Sequence, residues 1–517
     1  MKIEVSNRQE VYGLTLEQRN VLKRYLTRDN PVYHSAIKFS GYSHVSIPPT
    51  LTYYTEHSVS VGGGERVKVL SVPTGVNVSE LLGEEPDTVK DFRKEVPVSF
   101  PKFLLELRDD QERAEKAYLA QLGEKYPKQL VQLPTGKGKS ILALHIAKSL
   151  GQKTLILVHK DDLVAGWKKD IELCFGKIDV GLIKAKTRKV GEQITIAMFQ
   201  TLNRISPEDL AEYTNQFGLV VHDEVHHCGL NIFNVVDKFN SKYRLGLSAT
   251  PKRSDGLDFV FDFFFGGICY KHEIREDDED ICQVEVRTID SPFRYTPILV
   301  GKDVVNLYDL PKEDVPSKLC YVEDIPFHSR PKISYLTIDN IAVASPETME
   351  TVCSHILYEY QQGHSIIALF TQKEHINLYC EYLSSVVPRE QILLYYGDSK
   401  ESSSEMMKRA ESRECLITLA TYAKATEGTN VKSWEVEFLV SSLNNAKNVE
   451  QATGRIRRRK AGKLDPVRVY DVRYEDCYSL KRHFQTRLET YRELRYKLPK
   501  SLTLVKGVRQ MFSRGYN

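Results

Sequence analysis

The sequence predicts an α/β protein with two tandem parallel-sheet domains, a small α+β unit before them and a helical tail after them. Three observations predict it. At residues 130–144 the apolar pair Leu130-Val131 gives way to the loop Pro134-Thr135-Gly136-Lys137-Gly138-Lys139-Ser140, and Ile141, Leu142 and Leu144 follow at helical spacing, so the stretch reads as strand, loop and helix. Short apolar runs recur at 153–158, 194–199, 220–221, 366–370, 393–396 and 416–420, each passing into polar residues, as buried strands of parallel sheets do. A length of 517 residues exceeds what a single hydrophobic core organises.

Composition narrows the class. A hydrophobic fraction of 41% is ordinary for a globular chain. The 72 Lys and Arg against 69 Asp and Glu leave a net charge of +3, so any nucleic-acid surface must come from local clustering. None of the nine cysteines forms a C-x-x-C pair, which disfavours zinc ribbons and paired redox motifs. The start, MKIEVSNRQE, lacks an apolar signal core, and no window is apolar and long enough to span a bilayer. A reducing cytosolic compartment is expected, the host cytoplasm if the gene is phage-borne.

Residues 1–95 read as the accessory α+β unit. Lys2-Ile3-Glu4-Val5 alternates as a strand, and Thr15-Leu16-Glu17-Gln18 resembles a capping box opening a helix through Leu22 and Tyr25. Strand-like runs follow at 44–47, 58–61 and 67–70, with Gly62-Gly63-Gly64 as a turn. Arg19, Lys23, Arg24, Arg28, Lys38, Arg66 and Lys68, interleaved with Tyr25, Tyr33 and Tyr42, suit either a DNA-facing surface or a solvated face.

The chemistry begins at the loop. Gly136 and Gly138 lack a Cβ, so backbone N–H groups can close around a phosphate, and the helix starting near Lys139 turns its positive end to the same anion. Lys139 would then reach the β and γ phosphates of ATP and Ser140 would hold Mg2+. Leu133 stands where the strict phosphate-loop pattern has glycine. Further on, an apolar strand delivers Asp223-Glu224-Val225-His226. Asp223 can hold the metal and Glu224 can orient or deprotonate the attacking water. Zinc binding by His222, His226, His227 and Cys228 is the rival reading, weakened because successive strand-end side chains point different ways.

With Leu247-Ser248-Ala249-Thr250-Pro251 added, residues 100–475 resemble superfamily 2 DExH-type helicases and translocases, whose phosphate loop also takes the Pro-Thr-Gly-x-Gly-Lys-Ser form. The resemblance implies two RecA-like domains, residues 96–275 and 276–475, with ATP in their cleft. It implies an adenine-reading glutamine at Gln111, within Leu107-Arg108-Asp109-Asp110-Gln111, and nucleotide contacts from Arg108, Pro134, Thr135 and Lys137. His226 would couple the nucleotide to the rest of the motor, Ser248 and Thr250 would link hydrolysis to strand separation, and His159, Lys160, Gln200, Thr201, Thr371 and Thr421 would touch the nucleic-acid backbone.

In the second domain, opened by the run at 283–289 and interrupted by a proline-rich insertion at 291–332, Ala425-Thr426-Glu427-Gly428-Thr429-Asn430 is similar to the family's fifth motif and implies nucleotide contact at Gly428. Asn430 stands where Asp is common in that motif. Gln451-Ala452-Thr453-Gly454-Arg455-Ile456-Arg457-Arg458 fits Q-x-x-G-R-x-x-R. On a helix Gln451, Arg455 and Arg458 share a face, and planar guanidinium groups suit the charge spread over transferring phosphoryl oxygens. The tail, 476–517, interleaves Tyr478, Phe484, Tyr491 and Tyr496 with basic residues, which suits a nucleic-acid track and inward packing equally.

The resulting expectation is an ATP- and Mg2+-dependent DNA helicase or translocase acting on forked or branched DNA, 3′ to 5′, most like phage helicases of recombination and repair. An RNA helicase or a restriction-type translocase subunit is the alternative within the class. A nucleic-acid-binding module that uses its nucleotide only as a switch is the alternative outside it.

Overall fold

The structure is a computed structural model and describes residues 1–33, 47–61, 65–134, 136–225, 235, 237–249, 257–272, 281–316, 318–322, 325, 334–397, 402–425 and 431–503. Two compact units divide it, Met1–Glu273 and Ile274–Asn517.

The first unit is organised by an eight-stranded sheet in the order Thr187–Lys189, Val180–Lys184, Ile194–Met198, Thr154–Val158, Leu219–His222, Tyr243–Ser248, Leu130–Gln132, Ile268–Lys271. All neighbours pair in parallel except the outermost, Thr187–Lys189 with Val180–Lys184. Strands Thr154–Val158 and Ile194–Met198 are buried at every position, which is why they read as unbroken apolar runs. Alternation then sorts their side chains between two cores. Ile156 and Val158 pack with the helices Lys139–Leu150 and Asp161–Phe175, while Leu155 and Leu157 join a core that continues into the N-terminal residues.

The N-terminal residues form a five-stranded sheet in the order Thr55–Val61, Glu65–Val72, Gln9–Tyr12, Lys2–Val5, Thr88–Asp91. Its helix Leu16–Tyr25 opens with the capping box read from sequence, Gln18 N donating to Thr15 Oγ1 at 3.2 Å and Thr15 N to Gln18 Oε1 at 3.0 Å. Ile3, Val11, Leu22, Leu70 and Val72 share one core with Phe261, Phe263 and Phe265. Gly75 is pressed on the helix Val260–Phe265: its N–H donates to Phe263 O at 2.9 Å, and a Cβ there would lie 2.5 Å from Asp262 O.

This packing gives part of the N-terminal basic and aromatic set an inward role. Tyr25 lies against Phe263, and Arg28 stacks over Tyr25, Phe259 and Phe263. Arg19 and Lys23 are both paired with Glu56. A guanidinium stacks on phenylalanine as well as on a base, so the same residues serve an internal seam. Lys38, Tyr42 and the strand read at 44–47 lie mostly or wholly outside the described residues, as does the turn at 62–64.

The second unit holds a six-stranded, all-parallel sheet in the order Val284–Asp290, Val467–Arg473, Val436–Leu439, Ile366–Phe370, Ile417–Thr421, Ile392–Tyr395. Helices Tyr335–Ala344, Pro346–Gln361 and Lys373–Ser384 pack into one core, and Ser403–Glu411 and Ala446–Thr453 into the other. The proline-rich stretch contains a hairpin, Pro297–Val300 with Asp303–Asn306. The tail's aromatics turn inward: Phe484, Tyr491 and Tyr496 are buried on or after the helix Tyr478–Glu493. Arg487 on that helix is 1% exposed and grips Asp471 through Nε and Nη2 while donating to Leu443 O at 2.8 Å. Residues 504–517 lie outside the described set.

Candidate nucleotide-binding and hydrolysis site

Strand Leu130–Gln132 delivers the glycine loop at its C-terminal end, where parallel sheets place ligands. Leu133, the departure from the strict glycine pattern, is fully buried, and its N–H donates to Ser248 O at 3.0 Å, so the strand register is extended through this residue. Pro134 is buried beside it. Gly136 and Gly138 take φ of 88° and 68°, the left-handed conformation that side chains resist, and Gly138 caps the helix Lys139–Leu150. Lys139 Nζ sits 3.5 Å from Glu224 Oε1 and 3.4 Å from Leu133 O, and Ser140 follows on the first turn. Thr135 lies outside the described residues.

Strand Leu219–His222 ends at the carboxylates. Asp223 is 7% exposed and accepts a hydrogen bond from Trp167 Nε1 at 2.8 Å. Burial and then Glu224 push its carboxyl up to about 6, against Lys139, the Trp167 bond and His159. Glu224 adopts φ of 50°, an uncommon conformation for a residue with a side chain. His222 is fully buried between Phe199 and Phe265, and burial, then Arg244, push its imidazole down to about 3. That places it in the core as a neutral ring. Among the described residues no group of three or more His, Cys, Asp and Glu can hold a metal ion. His226, His227 and Cys228 lie outside them.

Gln111 belongs to the helix Asp109–Ala120 and is 3% exposed. Its Oε1 accepts from Arg108 N at 2.9 Å, and its Nε2 donates to the phosphate-loop carbonyls of Lys137 at 3.2 Å and Gly138 at 3.0 Å. The amide oxygen thus caps its own helix while the amide nitrogen fastens that helix to the loop. Lys137 does not face an open cradle: it is 1% exposed, 3.5 Å from Asp110 Oδ2. His272 Nδ1, 3.7 Å away, and Arg108 Nε, 3.8 Å away, lean on the same carboxylate. Sequence reasoning missed this cluster because Asp110, Lys137 and His272 form no local pattern.

The other strand ends line up by register. His159 and Lys160 follow Thr154–Val158, and Gln200 and Thr201 follow its parallel neighbour Ile194–Met198; Gln200 Nε2 donates to His159 O at 2.7 Å, tying the two tips together. Thr201 is occupied structurally, its Oγ1 accepting from Ala185 N. Ser248 is buried at the end of Tyr243–Ser248, while Thr250 lies outside the described residues.

In the second unit Thr371 and Thr421 end the paired strands Ile366–Phe370 and Ile417–Thr421, and Thr371 binds Ser441 Oγ through N–H and hydroxyl. Gly428, with Thr429 and Asn430, lies outside the described residues. The shared helical face of Gln451, Arg455 and Arg458 is corrected: the helix Ala446–Thr453 stops before Gly454, Arg455 to Arg457 lie in turns, and Arg458 bridges Ile281 as extended backbone. Glycine without a Cβ favours leaving the helix there. Arg457 is buried, donates to Cys282 O at 3.4 Å and stacks over Tyr496, so it is structural. Glu437, also buried, faces Arg455 electrostatically.

A glycine loop capping a helix at the C-terminal ends of a parallel sheet, a lysine in it and adjacent carboxylates on a strand end two strands away define a phosphate-loop nucleotide hydrolase of the RecA-like α/β class. Comparison narrows the class. Residues 104–253 match the family model described as type III restriction enzyme, res subunit. The chain is 27% identical over 380 residues to "Probable helicase D10" of Escherichia phage T5, covering 73% of each chain. It is 26% identical over 401 residues to "DNA 3'-5' translocase XPB2" of Sulfurisphaera tokodaii, covering 74% of this chain and 85% of that one. The solved structure of the ATP-dependent type ISP restriction-modification enzyme LlaBIII bound to DNA shares the fold, with TM-score 0.51, 14% identity, and coverage of 76% of this chain and 30% of that one. These matches support a superfamily 2 helicase with ATP-dependent helicase activity.

Proposed function

We propose that the protein is an ATP-dependent DNA helicase or translocase that moves 3′ to 5′ and acts on forked or branched DNA, as in recombination or repair, within the cytoplasm of a host cell. The observation that carries the hydrolytic part is the approach of Lys139 Nζ to Glu224 Oε1 at 3.5 Å beside Asp223, which assembles a phosphate-binding cation and two carboxylates on adjoining loop and strand ends. The choice of DNA and polarity is supported by what the archaeal relative is called.

In this reading Lys139 and the loop N–H groups neutralise the β and γ phosphates, with Pro134, Thr135, Gly136, Lys137, Gly138 and Arg108 shaping the cradle. Gln111 reads the adenine edge by exchanging one of its present bonds. Glu224 orients the attacking water and takes its proton. Arg455 and Arg458, with Gln451, meet the charge that develops on the transferring phosphoryl group. Ser140 and Asp223 would hold Mg2+, a hard cation suited to oxygen donors, and the buried Asp223, repelled by the partly exposed Glu224, fits such a charge. When bound, it supplies charge neutralisation on the phosphate oxygens.

Gly428 contacts the nucleotide, His226, Ser248 and Thr250 pass its state onward, and His159, Lys160, Gln200, Thr201, Thr371 and Thr421 contact the track. The test is ATP turnover stimulated by single-stranded DNA, forks, four-way junctions and RNA, followed by unwinding of substrates with either a 3′ or a 5′ overhang. Stimulation by RNA alone, or unwinding only from a 5′ overhang, refutes it.

A further inference from the structure

Trp167 is one of two tryptophans in the chain and is absent from the constellation just described. Its ring is 2% exposed, packed with Ile171, Cys174 and Leu142, yet its one polar atom is not spent on the core: Nε1 donates to Asp223 Oδ2 at 2.8 Å. An indole N–H can only donate, and a bond from it to a carboxylate oxygen is of the charge-assisted kind. Fixing one carboxylate oxygen sets where the other points. Asp223 N also donates to Leu157 O at 3.2 Å, so the residue is held from the neighbouring strand as well.

The position of Trp167 gives that bond a second meaning. It lies on the helix Asp161–Phe175, which starts directly after Lys160, the residue that caps it. His159 and Lys160 are the tip that Gln200 grips. One helix therefore has at its start the His159–Lys160 tip, a track contact in the proposed function, and holds the metal-side carboxylate of that same reading two turns later.

We infer that Trp167 is a positioning residue: its N–H orients Asp223 for Mg2+ and couples the occupancy of that site to polynucleotide binding at His159 and Lys160. This rests on the reading of Asp223 as a metal-binding residue. Linkage makes the coupling reciprocal, so DNA must raise the affinity for Mg2+ by the factor by which Mg2+ raises the affinity for DNA.

The experiment compares the full chain with Trp167→Phe, which keeps a large apolar ring and removes the donor. Mg2+ is titrated into protein holding a slowly hydrolysed ATP analogue, with and without a single-stranded oligonucleotide, and nucleotide binding is read by calorimetry. The half-saturating Mg2+ concentration of Trp167→Phe should rise by about 10- to 100-fold, the usual effect of removing a partner that orients a metal ligand. Metal-free nucleotide affinity should stay close to wild type, unfolding should remain cooperative at a modestly lower melting temperature, and the DNA-induced shift in Mg2+ affinity should disappear. Trp167 also reports directly: the emission change on Mg2+ addition should be present in wild type and absent in Trp167→Phe, because Trp434 is fully buried in the second unit. An unchanged Mg2+ titration in folded Trp167→Phe, while Asp223→Ala abolishes the Mg2+ response, overturns the inference alone. An Asp223→Ala variant that keeps the wild-type response overturns the assignment of Asp223 as well.

Discussion

Asp110→Asn is the most informative single change at the phosphate loop. Asp110 and Lys137 are 4% and 1% exposed and 3.5 Å apart, so the substitution leaves a buried ammonium facing a neutral amide. Breaking a buried pair from one side costs about 3–5 kcal/mol, because the remaining charge stays desolvated. Asn keeps an oxygen for the bond that Gln111 N makes to Asp110 Oδ1 at 3.0 Å, so that backbone bond is preserved and the loss reports charge. Lys137→Met should cost less, since Asp110 retains Arg108 at 3.8 Å and His272 at 3.7 Å.

The double variant should recover part of the loss, with a coupling on the order of 1–3 kcal/mol. Urea unfolding of the four proteins measures the cycle. The ATP KM of Asp110→Asn should rise more than kcat falls, because the pair seats the same loop that Gln111 Nε2 fastens through the Lys137 and Gly138 carbonyls. Additive stabilities, or an Asp110→Asn variant as stable as wild type, would refute the reasoning.

Lys139→Ala should abolish ATP turnover with the melting temperature little changed, since only the charge over the cradle is lost; near-normal turnover in steady-state kinetics sinks the assignment. Glu224→Gln should bind nucleotide and turn over very slowly, and a loss of binding in calorimetry would mean that Glu224 shapes the cradle instead. Removing residues 1–95 should give aggregated protein, because Phe261, Phe263 and Phe265 lose the core they share with Ile3, Leu22 and Leu70; a soluble, cooperatively melting fragment contradicts this. Burial, partly opposed by Arg455, holds the Glu437 carboxyl up to about 8 from an ordinary 4.5. A raised carboxyl keeps its full stability contribution below the unfolded value and loses it as pH climbs to the folded value. Between pH 4.5 and 8 wild type should therefore lose stability relative to Glu437→Gln by up to roughly 1.4 kcal/mol per pH unit, and parallel melting curves across that window would refute the effect.

The parts of the site legible in the sequence are those whose chemistry is contiguous. A loop from Pro134 to Ser140 and a strand ending in Asp223-Glu224 each carry their geometry locally, in glycine torsions and the edge of a buried strand. The partners that hold them are not contiguous: Trp167 with Asp223 and Lys137 with Asp110 meet only after the sheet has formed. Periodicity found the fully buried strands but passed over Gln9–Tyr12 and Thr88–Asp91, which are short and partly or wholly exposed. The Gln451–Arg458 stretch misled because residue spacing was read through a glycine, and Gly454 is where the helix ends.

The N-terminal residues show why composition alone could not decide their role. A basic, aromatic stretch is neutral between stacking on bases and stacking on phenylalanines, and for Tyr25 and Arg28 the apolar helix Val260–Phe265 breaks the tie. Once it is broken, a mechanical consequence follows. Arg244, 3% exposed, donates to Thr74 Oγ1 at 2.6 Å and to Asn7 O at 2.9 Å, and Arg8 pairs with Asp237 alongside. Arg244 lies near the start of the strand Tyr243–Ser248, whose last residue accepts the Leu133 N–H at the entry to the phosphate loop. One strand thus has the N-terminal sheet fastened at its foot and the phosphate loop at its head. A strand buried along its length transmits displacement rather than absorbing it, since close-packed interiors resist deformation. The N-terminal residues are therefore part of the scaffold that sets the loop, and substitutions at Asn7, Arg8 or Thr74 belong among the changes expected to alter nucleotide affinity from a distance.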